Sequence, residues 1–453
     1  MAEEYSMPMT KSLFSNSDLR KLILPLVVEQ ILSMLVGMVD TVMVSHAGEA
    51  AISGVALVDM INYLFLTIFS AIATGGAVIV SQYLGDRQND QARLAASQLY
   101  TISALISGVI GAICLLCHRQ ILQLLYGSVE AEVMAASVTY FAITALSFPF
   151  LGLYNAAAAL FRSMKKTNVT MYVSLLMNAI NVVGNFIGIF ILRAGVAGVA
   201  VPTLIARAAA AIAMTVLALN AENPVSIRLR EVWAWHGDMI RRILKIAVPN
   251  GIENGLFALG KVLVVSIVSL FGTVQIAANG IANSIDMISI VVVNAMNLAI
   301  VTVVGQCVGA REYGQAEYYT GKMMKISYLA TTVLGVMVCL CLPLIRFFYS
   351  VSDETWRCTC ILVILHNALA AALHPTSFNL SNTLRAAGDV TYTMYAGIAS
   401  MIVFRLGSAV LFAVVLNLGV IGVWIAMGMD WLARSVAFWL RYRRGKWKNC
   451  RAI

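Results

Sequence analysis

Charge is scarce in this chain. Asp, Glu, Lys and Arg make up only 12% of its 453 residues, while 60% are hydrophobic; a soluble globular protein carries about 25% charged and about 45–50% apolar residues. So few charges cannot coat a water-facing surface, which excludes a soluble enzyme or a nucleic-acid-binding domain. Other features are missing too. There is no H-E-x-x-H, no G-x-S-x-G and no grouping of the five histidines at helical metal spacing, so a metal- or serine-dependent enzyme within a membrane lacks its signature residues. The eight cysteines follow no framework. Cys114-Leu-Leu-Cys117-His118 matches the haem-attachment pattern, but it closes an apolar helix with no haem-pocket context. Gly255 to Lys261 approximates a phosphate loop yet continues into Val262 where Ser or Thr is required, and it lies in an apolar helix rather than after a strand, so no ATP site is expected.

Long apolar runs are what the chain has in abundance. Each is about 20 residues or more, enough for the roughly 30 Å hydrocarbon core, and they predict an all-α polytopic membrane protein of twelve transmembrane helices. Residues 1–20 form a polar N-terminal segment. The first apolar run is too long for a signal-peptide core and is expected to be retained. The net charge of +9 is distributed by side: segments assigned inside hold 23 basic residues, among them Lys11, Arg87, Arg162, Arg228, Arg311, Arg385 and Arg441 to Arg451, whereas the outer loops hold four, Arg119, Arg193, Arg346 and Arg357. By the positive-inside rule this predicts a multi-pass protein of the cell (inner, cytoplasmic) membrane with both termini cytoplasmic.

The chain is also a duplication. Pro25 and Glu29 return as Pro249 and Glu253, Gln82-Tyr-Leu-Gly85-Asp-Arg87 as Gln306-Cys-Val-Gly309-Ala-Arg311, and Gly195-Val-Ala-Gly198 as Gly419-Val-Ile-Gly422, all at an offset of 224; Arg162 and Thr170-Met-Tyr172 return as Arg385 and Thr393-Met-Tyr395 at 223. An even number of spans per copy gives both the same orientation, so the expectation is two parallel six-helix repeats. The first covers 21–219 and the second 240–440. A cytoplasmic linker at 220–239, with interfacial Trp233 and Trp235, joins them, and a basic tail follows at 441–453.

Polar residues inside such spans are functional candidates by default, because a charge at membrane depth is costly. Glu29 and Asp40 lie within about 20° on one face of the first span, about 16 Å apart along the axis, too far for one close dyad. Asp40 reads either as a site residue or as an outer-interface residue wetted by headgroups. Asn178, Asn181 and Asn185 share a face of the fifth span; their amides suit a hard cation or interhelical hydrogen bonds. Thr203 and Arg207 are an i, i+4 pair in the sixth. In the second copy Glu253 sits within Gly251-Ile-Glu-Asn-Gly255, with Lys261 as a candidate counter-ion, and Asn279, Asn283 and Asp286 step along one face. His374, beside Pro375, reads as a hydrogen-bonded core histidine or as a group that changes charge near neutral pH. With Glu29, Glu253, Asn283 and Asp286 lining it, the cavity would be acidic and would attract cations.

The chain resembles the multidrug and toxic compound extrusion (MATE) family, NorM-like branch, over nearly its whole length. The residues that carry this are Val39-Asp-Thr-Val-Met-Val-Ser-His-Ala-Gly48, the Gln82 to Arg87 block and its copy, Leu160-Phe-Arg162, Gly195 to Arg207, Pro249 to Glu253, and Leu384-Arg-Ala-Ala-Gly388. The resemblance implies two lobes in a V, alternating access, and a monomeric secondary antiporter that exports cationic lipophilic drugs or toxic metabolites in exchange for Na+ or H+. It implies cation or proton coupling at Asp40, Asn181, Asn185 and Thr203, with Na+ a candidate at the first three and no other metal or cofactor. A second site is implied at Glu253 and His374; that branch has Asp where His374 stands. A flippase for a lipid-linked precursor or an exporter of one specific metabolite is the alternative transporter, and a channel or an intramembrane enzyme the alternative from other classes.

Overall fold

The computed structural model describes residues 12–127, 129–349 and 351–453; Lys11 and most of the N-terminal segment lie outside the described residues. Among the described residues there is no strand. The described residues form twelve helices long and apolar enough to span a membrane when one bent pair is counted as a single span: α1 Asn16–Val44, α2 Glu49–Gly85, α3 Asn89–Tyr126, α4 Ala131–Leu146 with Phe148–Ser163, α5 Thr167–Ile191, α6 Ala197–Leu219, α7 Gly237–Phe271, α8 Thr273–Gly309, α9 Tyr313–Phe348, α10 Asp353–Ala386, α11 Val390–Val415 and α12 Gly419–Arg443. Helices are the expected solution, since every backbone polar group must be satisfied within the segment where no water is available.

Local sequence sets the ends and the breaks. α1 opens with a capping box: the Ser15 hydroxyl accepts from the Asp18 amide at 3.1 Å, and the Asp18 carboxylate accepts from the Ser15 amide at 2.8 Å. α4 is not the single straight span that hydropathy suggests, for it bends by 46° at Ser147, just ahead of Pro149, whose ring is tolerated only in the first turn of a new helix. The change of repeat offset from 223 to 224 also has a structural form. Tyr172 to Gly195 and their copies Tyr395 to Gly419 differ in separation by one residue, and α11 absorbs the extra one as π-helical turns over Ser400–Gly407 and Val410–Val415, longer than the Ile187–Ile191 turn of α5.

The two six-helix lobes, α1–α6 and α7–α12, meet through α1 and α2 of the first and α7 and α8 of the second. At the end of the bundle that carries the 220–239 linker, the two copies of one motif cross reciprocally. A Cβ at Gly85 would run into the Gln306 backbone carbonyl, and a Cβ at Gly309 into that of Gln82, so this approach is open only to glycine. The glutamines finish the contact: Gln82 donates to the Ala386 carbonyl and Gln306 to the Ser163 carbonyl, each at 2.8 Å across the lobe boundary. The tail joins the same seam. Trp447 is fully buried and stacks on Tyr442, while Arg451 bridges Asp86 at 2.6 Å and the Gly309 carbonyl at 3.0 Å. In the linker, Trp233 and Trp235 are exposed, and Gln98 holds the segment by donating to the carbonyls of Glu231 and Ala234.

Candidate functional site

The first lobe gathers Asp40, Asn181, Asn185 and Thr203 into one cluster. Asn185 is fully buried and donates its amide to Asp40 Oδ1 at 2.9 Å. With the Asn181 amide turned so that its nitrogen faces the carboxylate, it reaches the two Asp40 oxygens at 2.9 and 3.0 Å, and its own oxygen accepts from the Thr203 hydroxyl at 2.9 Å. The i, i+4 spacing on α5 puts both amides over the α1 carboxylate, and Thr203 comes from α6 one turn after Gly198, whose missing side chain lets α6 press against Gly188 of α5. Asp59 of α2 adds a second acid, accepting from Tyr140 and Asn62 at 3.3 Å each. Arg207 donates to Ser147 at 2.7 Å and acts on Asp59 through space. Amide N–H groups around Asp40 suit an ionised carboxylate. The Asn185 oxygen is buried without a partner, so rotating the two amides would present their oxygens, the carboxylate and the Thr203 hydroxyl to a hard cation, for which oxygen donors are the right chemistry; protonation of Asp40 is the other way to neutralise the site.

Glu29 and Glu253 stand elsewhere and are not bare acids. Glu29 is buried, ion-paired to Arg162 at 2.7 Å, and accepts from Thr170 at 3.0 Å. Glu253 is buried, ion-paired to Arg385 at 2.7 Å, with Arg434 at 3.7 Å. Arg162 and Arg385 are repeat partners, so duplication has carried the same acid–guanidinium pair into both lobes. Lys261 is not the counter-ion of Glu253; its ammonium lies over the Phe257 ring, 5.2 Å from the centroid.

His374 does not join Glu253 either. It is buried, stacked on Phe378 at 4.3 Å and edge-on to Trp431 at 4.9 Å, with no partner on Nδ1. Asp286 is buried instead beside His366, at 3.2 Å, and accepts from Asn367 at 3.0 Å. Asn283 is exposed and bonds back to the Asn279 carbonyl, while Asn279 accepts from the Trp424 ring nitrogen at 2.9 Å.

Sequence reasoning missed His366, and it missed a buried charged network on α11 and α12. Arg434 donates to Asp430 at 3.0 Å and to the Gly397 carbonyl at 3.1 Å; Arg405 lies 3.8 Å from Asp430, and Ser400 donates to the same acid at 2.5 Å. The signal was available: Asp430 and Arg434 are an i, i+4 pair inside an apolar span, where neither charge is there for solubility.

A bundle of twelve spans in two related lobes, each with charged groups at membrane depth, defines a polytopic membrane transporter. The chain belongs to the MatE family: the family model matches residues 25–187 and matches again at 249–411. It is 31% identical over 434 residues to the uncharacterized transporter YisQ of Bacillus subtilis (strain 168), covering 93% of each chain. It is 26% identical over 446 residues to the probable multidrug resistance protein NorM of Thermotoga maritima, covering 95% of this chain and 93% of that one. Among solved structures, a multidrug resistance MATE family transporter of the MOP superfamily in an outward-facing conformation superposes with a TM-score of 0.88 at 20% identity, over 95% of this chain and 96% of that one, which shows a shared fold.

Proposed function

We propose that this chain is a secondary active antiporter that exports amphipathic organic compounds by alternating access, in exchange for Na+ or H+ taken up at Asp40, Asn181, Asn185 and Thr203. The observation that carries the reading is the Asp40 carboxylate held by amides from α5 with an α6 hydroxyl behind it. Ion and carboxylate lie where three helices of one lobe meet, so neutralising Asp40 changes how those helices pack and couples the ion to the lobe's conformation. Cationic substrates draw support from Asp40 and Asp59, and less from Glu29 and Glu253, whose charges are offset by arginine. In this reading the reciprocal Gly85–Gln306 and Gly309–Gln82 crossing is the closed gate of an outward-open state. The gate, both termini and the 220–239 linker are cytoplasmic, the lobes 21–219 and 240–440 are the moving bodies, and the monomer works alone in the cytoplasmic membrane.

The test is transport of a fluorescent lipophilic cation into proteoliposomes under separately imposed Na+ and pH gradients. Wild type should respond to one gradient, and Asp40→Asn should insert normally yet lose that response. Gradient-driven transport by Asp40→Asn at the wild-type rate would end the proposal.

A further inference from the structure

The two lobes share a scaffold but carry opposite charge inside. Asp40 has Val264 as its copy 224 residues on, while Ala206 and Ala210 become Asp430 and Arg434, and Arg405, in the π-helical part of α11, stands 224 residues after Asn181. In the second lobe three arginines, Arg385, Arg405 and Arg434, surround two carboxylates, Glu253 and Asp430, and Lys261 is a fourth cation beside Arg405. Arg385 and Arg434 converge on Glu253, and Arg434 and Arg405 share Asp430, so nothing is left for Lys261. It has no carboxylate within ion-pair distance among the described residues, and Arg405 acts on it as a like charge.

We propose that Lys261, backed by Arg434 and Arg405, heads an anion-binding subsite that takes the carboxylate or phosphate group of an amphipathic organic substrate. Lys261 is exposed although it stands well inside α7. The helix continues ten residues, about 15 Å at 1.5 Å per residue, before ending at Phe271. A lysine seeking water would extend toward that end. This one turns back over Phe257, one turn nearer the middle of the span, against the same ring that Arg434 covers at 4.8 Å. A cation–π contact offsets only part of what an unpaired ammonium loses at membrane depth, and an incoming anion supplies the missing partner. The surrounding surface suits an organic body: Phe257 lies edge-on to Phe378 at 6.5 Å, and Phe378 stacks on His374 against Trp431. Asp286 does not compete for the site, being engaged by His366 and Asn367.

The assignment depends on the antiport reading only in calling the ligand a substrate. It is tested by equilibrium binding to the full chain in phosphatidylcholine nanodiscs, with 2-naphthoate, 2-naphthyl phosphate and the matched cation 2-naphthylmethylammonium as probes. Wild type should bind at least one of the anions, and the better one identifies the head group. Lys261→Gln should weaken that binding at least tenfold, Lys261→Arg by no more than threefold, and the cation should not lose affinity in either. Failure of wild type to bind both anions, or wild-type affinity in Lys261→Gln, overturns the proposal. Should Lys261→Gln not fold, protection of Lys261 from acetylation by the bound anion in wild type decides the matter, and absence of protection overturns it. Binding of the anions is read without any gradient and through Lys261 variants, whereas the coupling site is read by gradient-driven transport of a cation; the two readings therefore stand or fall separately.

Discussion

Replacing Glu253 by Gln separates a structural acid from an exchanging one. The side chain is 3% exposed, 2.7 Å from Arg385 and 3.7 Å from Arg434. Removing one member of a buried pair leaves its partner charged and unsolvated, which costs about 3–5 kcal/mol. Arg434 keeps Asp430 at 3.0 Å, so the loss falls mainly on Arg385, and about 3 kcal/mol is the expected destabilisation. Removing both partners relieves the stranded charge: Glu253→Gln with Arg385→Gln should be less destabilised than the sum of the single variants by about 2 kcal/mol or more, well above the ~0.5 kcal/mol within which independent sites add. The assay is a double-mutant cycle of denaturant unfolding in detergent micelles. Glu29→Gln and Arg162→Gln in the first lobe provide the matched cycle on the repeat copy and should give a coupling of the same sign. Full stability of Glu253→Gln with altered substrate affinity would refute this reasoning and return Glu253 to the exchange site.

Gly85→Ala should weaken the closed gate, because its methyl group meets the Gln306 backbone rather than a movable side chain; faster modification of a cysteine placed at Gln82 would report the opening, and an unchanged rate would count against the gate. Arg451→Ala removes the part-buried bridge from the tail to Asp86 and Gly309 and should raise accessibility of the same cysteine by a smaller factor, because the Gly85–Gln306 backbone approach itself is left intact. His374→Asp places the carboxylate of the NorM-like branch in the aromatic pocket whose electrostatics Lys261 already influences, and should lower 2-naphthoate affinity at least tenfold; unchanged affinity would detach His374 from the subsite. Cysteine labelling of intact cells should find the 220–239 linker shielded, and external labelling there would invert the proposed topology.

Hydropathy and the internal repeat made the fold legible, because burying about 20 apolar residues per span leaves little freedom in secondary structure and a repeat fixes the relative orientation of the halves. The bend in α4 escaped, since Ser147 and Pro149 leave the hydropathy of 132–160 intact while changing its backbone. In the first lobe the stripes on α1 and α5 were readable at 100° per residue, but that Asp40, Asn181, Asn185 and Thr203 belong together was what the MATE resemblance implied, and the structure brings them into contact. In the second lobe, spacing within one helix was a poor guide. The partners of Glu253 come from α10 and α12, distant in sequence, and no periodicity on α7 reveals which helix faces Glu253. Lys261, eight residues on and about 80° off the Glu253 face, was a poor counter-ion by helical geometry, and its ammonium lies over Phe257 instead.

One sequence signal did point at the second lobe. The topology count of 23 inner and four outer basic residues leaves four of the chain's 31 unplaced: Arg207, Lys261, Arg405 and Arg434. Those are the ones at membrane depth that the positive-inside rule cannot use, and three of the four belong to the second copy. Positions shared by both copies, the Glu–Arg pairs and the Gly–Gln crossing, are where the lobes need identical packing to meet across a pseudo-two-fold axis. Positions that break the repeat are free of that constraint. A charge that appears in one copy, at a depth where it costs several kcal/mol, and opposite an uncharged residue in the other, as Asp40 is opposite Val264 and Lys261 opposite Gly37, is therefore retained for what it binds. Asp40 and Lys261 both meet that test, one with each sign, which supports the proposed coupling site in the first lobe and the proposed anion subsite in the second.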